Sequence, residues 1–380
     1  ESIVTEGNDY TQDYVILREF NTKPGSVLNE NVLAKDIRRL FNLGFFSEVL
    51  PVFEPGSTPD KVILVIKVKE TRTSTINFGG GYGERQGWFG FIDLSINNLL
   101  GTGQGLLVRG QFGQEVTTYQ FKYTHPWIFP ETLGDRTSFT LRLWDTLGKD
   151  IYVSQQDEKR VGYDMSFGKP FTEEFKGSIS FGNEKVEPWK ESSFEGYVST
   201  TVGFSLSYDT RDFWLNPTEG MFHSVSTRWG WKSTGDSVTQ FVKYGLTLNQ
   251  FVPLAEQQTL ALHAETGIGV GDVPISELYW AGGANSVRGY YPFDAHTGTK
   301  KLVFNMEYRY TFNEVFQGVL FYDYGDAWDI GTPNFADFLS GRGFGIRLNT
   351  PLGPIRLDYG VPSLASFGEG VTHFSIGHAF

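Results

Sequence analysis

Cysteine does not occur in this chain of 380 residues, so neither a disulfide nor a thiolate metal site is open to it. Positive charge is in the minority: 32 Lys and Arg stand against 44 Asp and Glu, a formal net charge of −12. That balance argues against nucleic-acid binding, which favours a basic surface. No run of about 18 apolar residues occurs, which excludes a transmembrane helix. No signal peptide is visible, and the first residue, Glu1, points to processing or truncation of an N-terminal part. Enzymatic signatures are missing as well. There is no Gly-x-Ser-x-Gly and no His-Glu-x-x-His, and His125, His223, His263, His296, His373 and His378 show no metal-ligand spacing. The glycine-rich stretch Gly79 to Gly83 sits in a strand pattern with no following helix or lysine, so phosphate binding is rejected. The expectation is a protein without cofactor or metal that is not an enzyme.

What is abundant is aromatic residues and glycine: 33 Phe, 18 Tyr, 9 Trp and 45 Gly. The mean hydropathy of −0.26 suits a soluble protein. It equally suits a transmembrane β-barrel, in which lipid-facing and lumen-facing residues alternate.

Residues 1–72 read as a small α/β unit of order β-α-α-β-β. Ser2 to Val4 form a short strand. Thr11 to Phe20 read as a helix with Tyr14, Val15, Leu17 and Phe20 on its apolar side. Asn29 caps a second helix, in which Leu33, Ile37, Leu40 and Phe41 recur at helical spacing, and Gly44 stops it. Two strands follow, Glu48 to Glu54 and Lys61 to Lys69. The open edges of such a sheet could receive a peptide strand, or the unit could be a plain spacer.

Beyond Arg72 the texture changes to segments of about ten residues that alternate apolar and polar. Tyr119, Phe121 and Tyr123 oppose Gln120 and Lys122; Phe304, Met306, Tyr308 and Tyr310 oppose Asn305, Glu307 and Arg309. Sixteen strands result, near residues 75–83, 88–97, 104–114, 116–124, 136–146, 158–168, 174–186, 195–207, 221–231, 238–250, 257–268, 300–311, 316–325, 341–349, 354–360 and 371–380. An even count returns both barrel ends to one side. With the N-terminal unit in the periplasm, the connection Gly269 to Thr299 falls on the outer side.

That connection holds Gly282-Gly283-Ala284-Asn285-Ser286-Val287-Arg288-Gly289-Tyr290. Glycines allow unusual backbone angles and close approach of another backbone. An arginine buried there needs carboxylate partners, for which Glu307 and Asp323 are the candidates. The plain alternative is a surface loop with a solvated arginine. Closing the barrel must pair the first strand, with Ile76, Phe78, Gly79, Gly80, Gly81 and Gly83, to the last, with Phe374, Ile376, Gly377 and Phe380. Glycine weakens strands, so this seam is expected to be a gate opening sideways into lipid; otherwise the glycines merely relieve crowding.

These residues carry a resemblance. The chain resembles the BamA-type outer-membrane barrel-assembly family, whose barrel follows periplasmic POTRA domains. The matching stretches are Leu40 to Ser47, Asn98-Leu99-Leu100-Gly101-Thr102-Gly103, Tyr208 to Asp212 through Pro217 to Gly220, and Val287-Arg288-Gly289-Tyr290. Phe321 to Gly325, Asn349 to Arg356 and the terminal Phe380 match as well. The resemblance covers essentially the whole chain. It implies one POTRA domain over 1–72, the last of several, and a 16-stranded antiparallel transmembrane β-barrel over 73–380. It also implies a loop folded into the lumen, with Arg288 on Glu307 and Asp323, and a lateral gate between the first and last strands.

The implied activity is insertion of β-barrel proteins into the outer membrane of a Gram-negative-type cell, or of an organelle derived from one. Its partners would be unfolded outer-membrane β-barrel clients, periplasmic chaperones, accessory lipoproteins and outer-membrane lipids, with no nucleic acid. Tyr290 stands where the family commonly has Phe, and the outer loops are short. A two-partner-type secretion pore, a passive porin and a lipid-facing hydrolase are the alternatives.

Overall fold

The computed structural model describes residues 1–84, 87–149, 153–190, 192–213, 216–329, 331–350 and 353–376. It divides into two compact units. The first holds residues 1–77 with 93–108 and 121–126; the second holds 78–92, 109–120 and 127–380.

In the first unit, β1 (Ser2–Glu6), α1 (Asp13–Leu17), α2 (Glu30–Asn42), β2 (Phe46–Pro55) and β3 (Val62–Glu70) follow the expected β-α-α-β-β order. The sheet order is β1-β3-β2, with β1 parallel and β2 antiparallel to β3. Val15, Ile16, Phe20, Leu33, Leu40, Leu64 and Ile66 form one core between helices and sheet. Asn29 caps α2 by accepting from the amides of Asn31 (3.0 Å) and Val32 (3.3 Å).

The first helix is shorter than the expected Thr11 to Phe20: past Leu17 the amides of Glu19 and Phe20 bond the i−3 carbonyls of Ile16 and Leu17, which tightens the last turn, and carboxylates hold the flanking backbone. Glu70 takes the amides of Tyr10 and Thr11 at 3.0 and 2.6 Å. Asp36, fully buried on α2, takes those of Asn21 and Thr22 at 3.1 and 2.9 Å.

Sixteen strands form the barrel. They are β4 (Ser74–Gly83), β5 (Gly87–Leu99), β6 (Gln104–Gly113), β7 (Val116–His125), β8 (Ser138–Lys149), β9 (Asp157–Pro170), β10 (Phe175–Pro188) and β11 (Tyr197–Asp209). The set continues with β12 (Gly220–Thr234), β13 (Ser237–Ala255), β14 (Gln258–Gly271), β17 (Lys300–Thr311), β18 (Phe316–Trp328), β19 (Leu339–Thr350), β20 (Gly353–Pro362) and β21 (Val371–Ile376). Each follows its sequence neighbour around the ring, and β21 returns to β4. Every strand begins within a residue or two of where the alternation placed it. Several in the middle run longer than expected, β13 as far as Ala255. Hairpin pairing there continues into stretches where the alternation of polarity fades, so pattern alone underestimates the length.

Phe304, Met306, Leu320, Tyr322 and Phe344 are exposed on the outer face, while Asn305, Glu307 and Asp323 point inward. This is the arrangement of a barrel in lipid: apolar outside, polar inside. Two features of the connections were not foreseen. A short helix α3 (Pro130–Leu133) lies between β7 and β8. The long connection after β14 carries a small hairpin of its own, β15 (Tyr279–Ala281) with β16 (His296–Gly298). The expected last strand reached Phe380; Gly377 and Phe380 lie outside the described residues.

Candidate functional site

The connection between β14 and β17 folds into the barrel. Arg288 is only 2% exposed, and Val287 is fully buried against Ala281, Val303, Ala327 and Leu339. Gly289 has φ +101°, a conformation that favours glycine. The Tyr290 hydroxyl donates to the carbonyl of Ser340 at 3.2 Å.

The Arg288 guanidinium grips Asp323 through two bonds, Nε to Oδ2 at 2.7 Å and Nη2 to Oδ1 at 2.8 Å. Its Nη1 donates to Glu307 Oε1 at 2.7 Å and to Asp358 Oδ2 at 3.3 Å. One face of the guanidinium lies 3.5 Å from the centre of the Phe321 ring, a cation–π contact in a desolvated setting. The strand registers explain this convergence. Asn305 is opposite Asp323, and Glu307 is opposite Phe321 on the β17–β18 ladder. Asp358 is opposite Gly345 on β19 and His373 on β21. Because side chains alternate with period two, these positions share the inner face.

Asp358 is the partner that sequence reasoning missed, together with three wall arginines. Arg309 bonds Glu307 at 2.8 Å. Arg347 and Arg356 both bond Asp358, the latter at 2.7 Å from Nε. Arg347 also lies 3.6 Å from Glu307. Four guanidinium groups thus meet three carboxylates in one network, so each buried charge has opposite charge beside it. Arg356 further donates to the Ala284 carbonyl at 2.7 Å and to Asn285 Oδ1 at 3.1 Å, holding the loop before Arg288.

The wall under the loop is lined with glycine. On β19, a Cβ at Gly341 would collide with the Arg288 carbonyl oxygen, one at Gly343 with the Phe321 ring and the Tyr359 carbonyl oxygen, and one at Gly345 with the Asp358 carboxylate. The signal was present in the sequence as Gly341-x-Gly343-x-Gly345, glycine at three successive inward positions of one strand.

A second anchor holds the other limb of the loop. Glu277 receives Arg228 Nη1 at 2.9 Å and Lys243 Nζ at 3.0 Å, both from the β12–β13 wall. The loop therefore spans the lumen, with a loop carboxylate on wall cations at one side and a loop guanidinium on wall carboxylates at the other. Glu277 is not on a strand. Burial, the largest single influence, raises its carboxyl, but Arg228 and Lys243 together hold it below its ordinary value.

At the seam, Ile376 pairs with Tyr82. Ile76 and Phe78 are exposed on β4, which also carries Gly79, Gly80, Gly81 and Gly83. A Cβ at Gly79 would press on the Phe91 ring. The Phe374 and Tyr82 rings lie 5.8 Å apart across the seam.

A sixteen-stranded barrel with its own loop ion-paired inside the lumen, preceded by a small β-α-α-β-β domain, defines an outer-membrane barrel of the POTRA-bearing class. Residues 98–380 match the Omp85 superfamily domain, and residues 1–71 match the POTRA family model, described as surface antigen variable number repeat. The chain belongs to the Omp85 superfamily and is of the BamA type.

It is 26% identical over 416 residues to "Outer membrane protein assembly factor BamA" of Nitratidesulfovibrio vulgaris, covering 100% of this chain and 51% of that protein. It is 24% identical to "Outer envelope protein 80, chloroplastic" of Arabidopsis thaliana, covering 97% and 54%. The chain spans about half the length of these curated relatives. Among solved structures, BamA from Haemophilus ducreyi lacking POTRA domains 1–3 superposes with a TM-score of 0.78 at 19% identity, over 99% of this chain and 83% of that one. CdiB from Acinetobacter baumannii shares the fold at a TM-score of 0.67 and 14% identity, over 99% and 73%. The protein is an outer-membrane protein, as its family and its bacterial and chloroplast-envelope relatives are.

Proposed function

We propose that this chain assembles β-barrel proteins into the outer membrane by opening sideways between β4 and β21. The observation that carries the reading is Arg288, 2% exposed and bonded to three carboxylates inside the lumen. A lumen occupied by its own ion-paired loop is a poor axial conduit, so the seam is the better route to lipid. Glycines 79, 80, 81 and 83 weaken β4, and Ile76 and Phe78 already face outward. Phe374 and Ile376 lie on the opposite lip. Once parted, the edge of either lip offers unpaired backbone groups to an incoming strand. Folding of the client supplies the free energy, so no cofactor and no enzymatic step is required. Relatives named as outer membrane protein assembly factors support the reading.

In the same proposal, residues 1–72 form a periplasmic POTRA domain and 73–380 the barrel. The outer edge of β2 receives unfolded clients, handed over by periplasmic chaperones and accessory lipoproteins. A secretion pore of the two-partner type shares this fold and predicts passage of a chain through the lumen instead.

The test places the purified chain in liposomes and follows folding of an unfolded outer-membrane barrel. A reducible cross-link across the seam, Tyr82→Cys with Ile376→Cys, follows the observed pairing. Accelerated client folding that is lost on oxidation and restored by reduction is the expected outcome. A well-folded barrel that never accelerates client folding would overturn the proposal, and a client translocated into the liposome lumen would favour the secretion pore.

A further inference from the structure

The loop is tied to the seam itself, through two residues that the ion-pair network does not use. His373 on β21 is 1% exposed. Its Nε2 accepts the Gly289 amide at 2.9 Å. With Nε2 acting as an acceptor, the ring proton of a neutral imidazole sits on Nδ1, and Nδ1 faces Glu84 Oε1. Glu84 directly follows β4, and its other oxygen, Oε2, accepts the amide of Ala284 at 3.0 Å. One carboxylate at the end of the first strand therefore holds both the last strand, through His373, and the loop, through Ala284. His373 in turn holds the loop at Gly289, one residue past Arg288.

The position of this contact matters. The ladder between β21 and β4 has Tyr82 opposite Ile376, and β4 ends at Gly83. Beyond that point toward Val371 the described part of the seam is held by side chains: the Tyr82 and Phe374 rings and the Glu84–His373 bond. Side chains can be released without breaking a backbone ladder, so this end is where seam and loop can exchange partners.

We infer that Glu84 and His373 are positioning residues that make docking of the Arg288 loop and closure of this end of the seam a single event. A strand that separates β21 from Glu84 removes one of the loop's holds, and release of the loop removes the Gly289 and Ala284 amides that orient the clasp. The inference rests on the lateral-opening reading for its purpose, but not for its test.

The test is hydrogen exchange measured by mass spectrometry on the full chain in liposomes, without any client. Four proteins are compared: wild type, Glu84→Gln, His373→Leu and Asp323→Asn. Asp323 touches the loop and not the seam. Loss of a hydrogen bond to a charged group corresponds to roughly tenfold or more in local opening. Exchange in residues 282–290 and in 371–376 should therefore rise together, by about tenfold, in both Glu84→Gln and Asp323→Asn. The β12–β13 hairpin should stay protected in each, which shows that the barrel has folded. His373→Leu removes the acceptor for Gly289 and should match Glu84→Gln. If Asp323→Asn frees the loop while 78–83 and 371–376 remain as protected as in wild type, loop and seam are independent and the inference is wrong. It is equally wrong if Glu84→Gln and His373→Leu leave both segments unchanged. Because no client is present, coupled exchange without client insertion would count against the assembly reading alone, and uncoupled exchange with active insertion against this inference alone.

Discussion

Asp323 holds Arg288 by its backbone as well as its side chain: Oδ2 accepts both the Nε proton at 2.7 Å and the Arg288 amide at 3.0 Å. The same carboxylate takes Nη2 on its other oxygen and is itself fully buried. Glu307 and Asp358 differ, since each has wall arginines of its own. This asymmetry ranks the three carboxylates by what Arg288 means to each.

Arg288→Ala should strand Asp323 more than the other two. Glu307 keeps Arg309, and Asp358 keeps Arg347 and Arg356, whereas Asp323 is left with neutral donors, the backbone amide of residue 288 at 3.0 Å and Asn305 Nδ2 at 2.8 Å. Breaking one side of a buried pair costs roughly 3–5 kcal/mol. Asp323→Ala should cost a similar amount, and the double variant should cost less than the sum, with a coupling of about 0.5–3 kcal/mol. Protease protection of the loop in a denaturant series measures this. Strictly additive losses would mean that the two residues act separately.

Gly341→Ala should undock the loop without altering any charge. The added Cβ would run into the Arg288 carbonyl oxygen, a backbone atom that cannot swing aside. Ala at Gly331, where no heavy atom lies close to an added Cβ, provides a comparison, although its φ of +84° carries local strain. We expect faster proteolysis between Gly282 and Tyr290 for Gly341→Ala only. Equal protection in the two variants would show that the loop does not rest on β19 in the membrane.

Much of this architecture was legible beforehand, and the reason is periodicity. The strand starts follow from local alternation of polarity, and the two helices of the first unit from apolar spacing at the helical period, signals that each residue reports independently. Asp358 was not legible. It lies 70 residues beyond Arg288 and reaches it only because the β19–β20 and β20–β21 registers bring it to the same inner face. Glu84 and His373 were hidden for the same reason, being neighbours only once the ring closes. The glycines of β19 could have been read, since glycine at alternate inward positions says that something lies against the strand. Glu277 gave no such sign, because nothing in a short polar turn announces which wall it will meet.

The Glu277 anchor should make one limb of the loop sensitive to acid. Its carboxyl is held below the ordinary value of 4.5 by Arg228 and Lys243, against burial. A group whose folded value is depressed adds stability above its unfolded value, and that contribution is lost as pH falls from there through the folded value. Protection of residues 272–281 should therefore be flat above pH 4.5 and decline below it. Glu277→Gln should remove the decline and lower protection at neutral pH. An identical acid profile in the variant would assign the effect to other carboxylates.

Asn98 should matter to the first unit out of proportion to its size. It is 1% exposed, its Nδ2 donates to Thr11 Oγ1 at 2.9 Å, and its Oδ1 accepts the Gly103 amide at 2.7 Å. Gly101 supports the same junction, its carbonyl accepting the Gln12 amide at 2.9 Å. Asn98→Ala leaves a buried amide and a hydroxyl without partners, at about 1–3 kcal/mol. Asn98→Asp retains an acceptor for Gly103 but cannot donate to Thr11, and adds a charge to a buried position, so it should be at least as damaging. Both should increase hydrogen exchange in residues 10–17 and 98–103 together, while the β12–β13 hairpin in the second unit keeps its protection. Increased exchange confined to 98–103 would mean that Thr11 finds another partner, and that the turn, not the junction, is what Asn98 maintains.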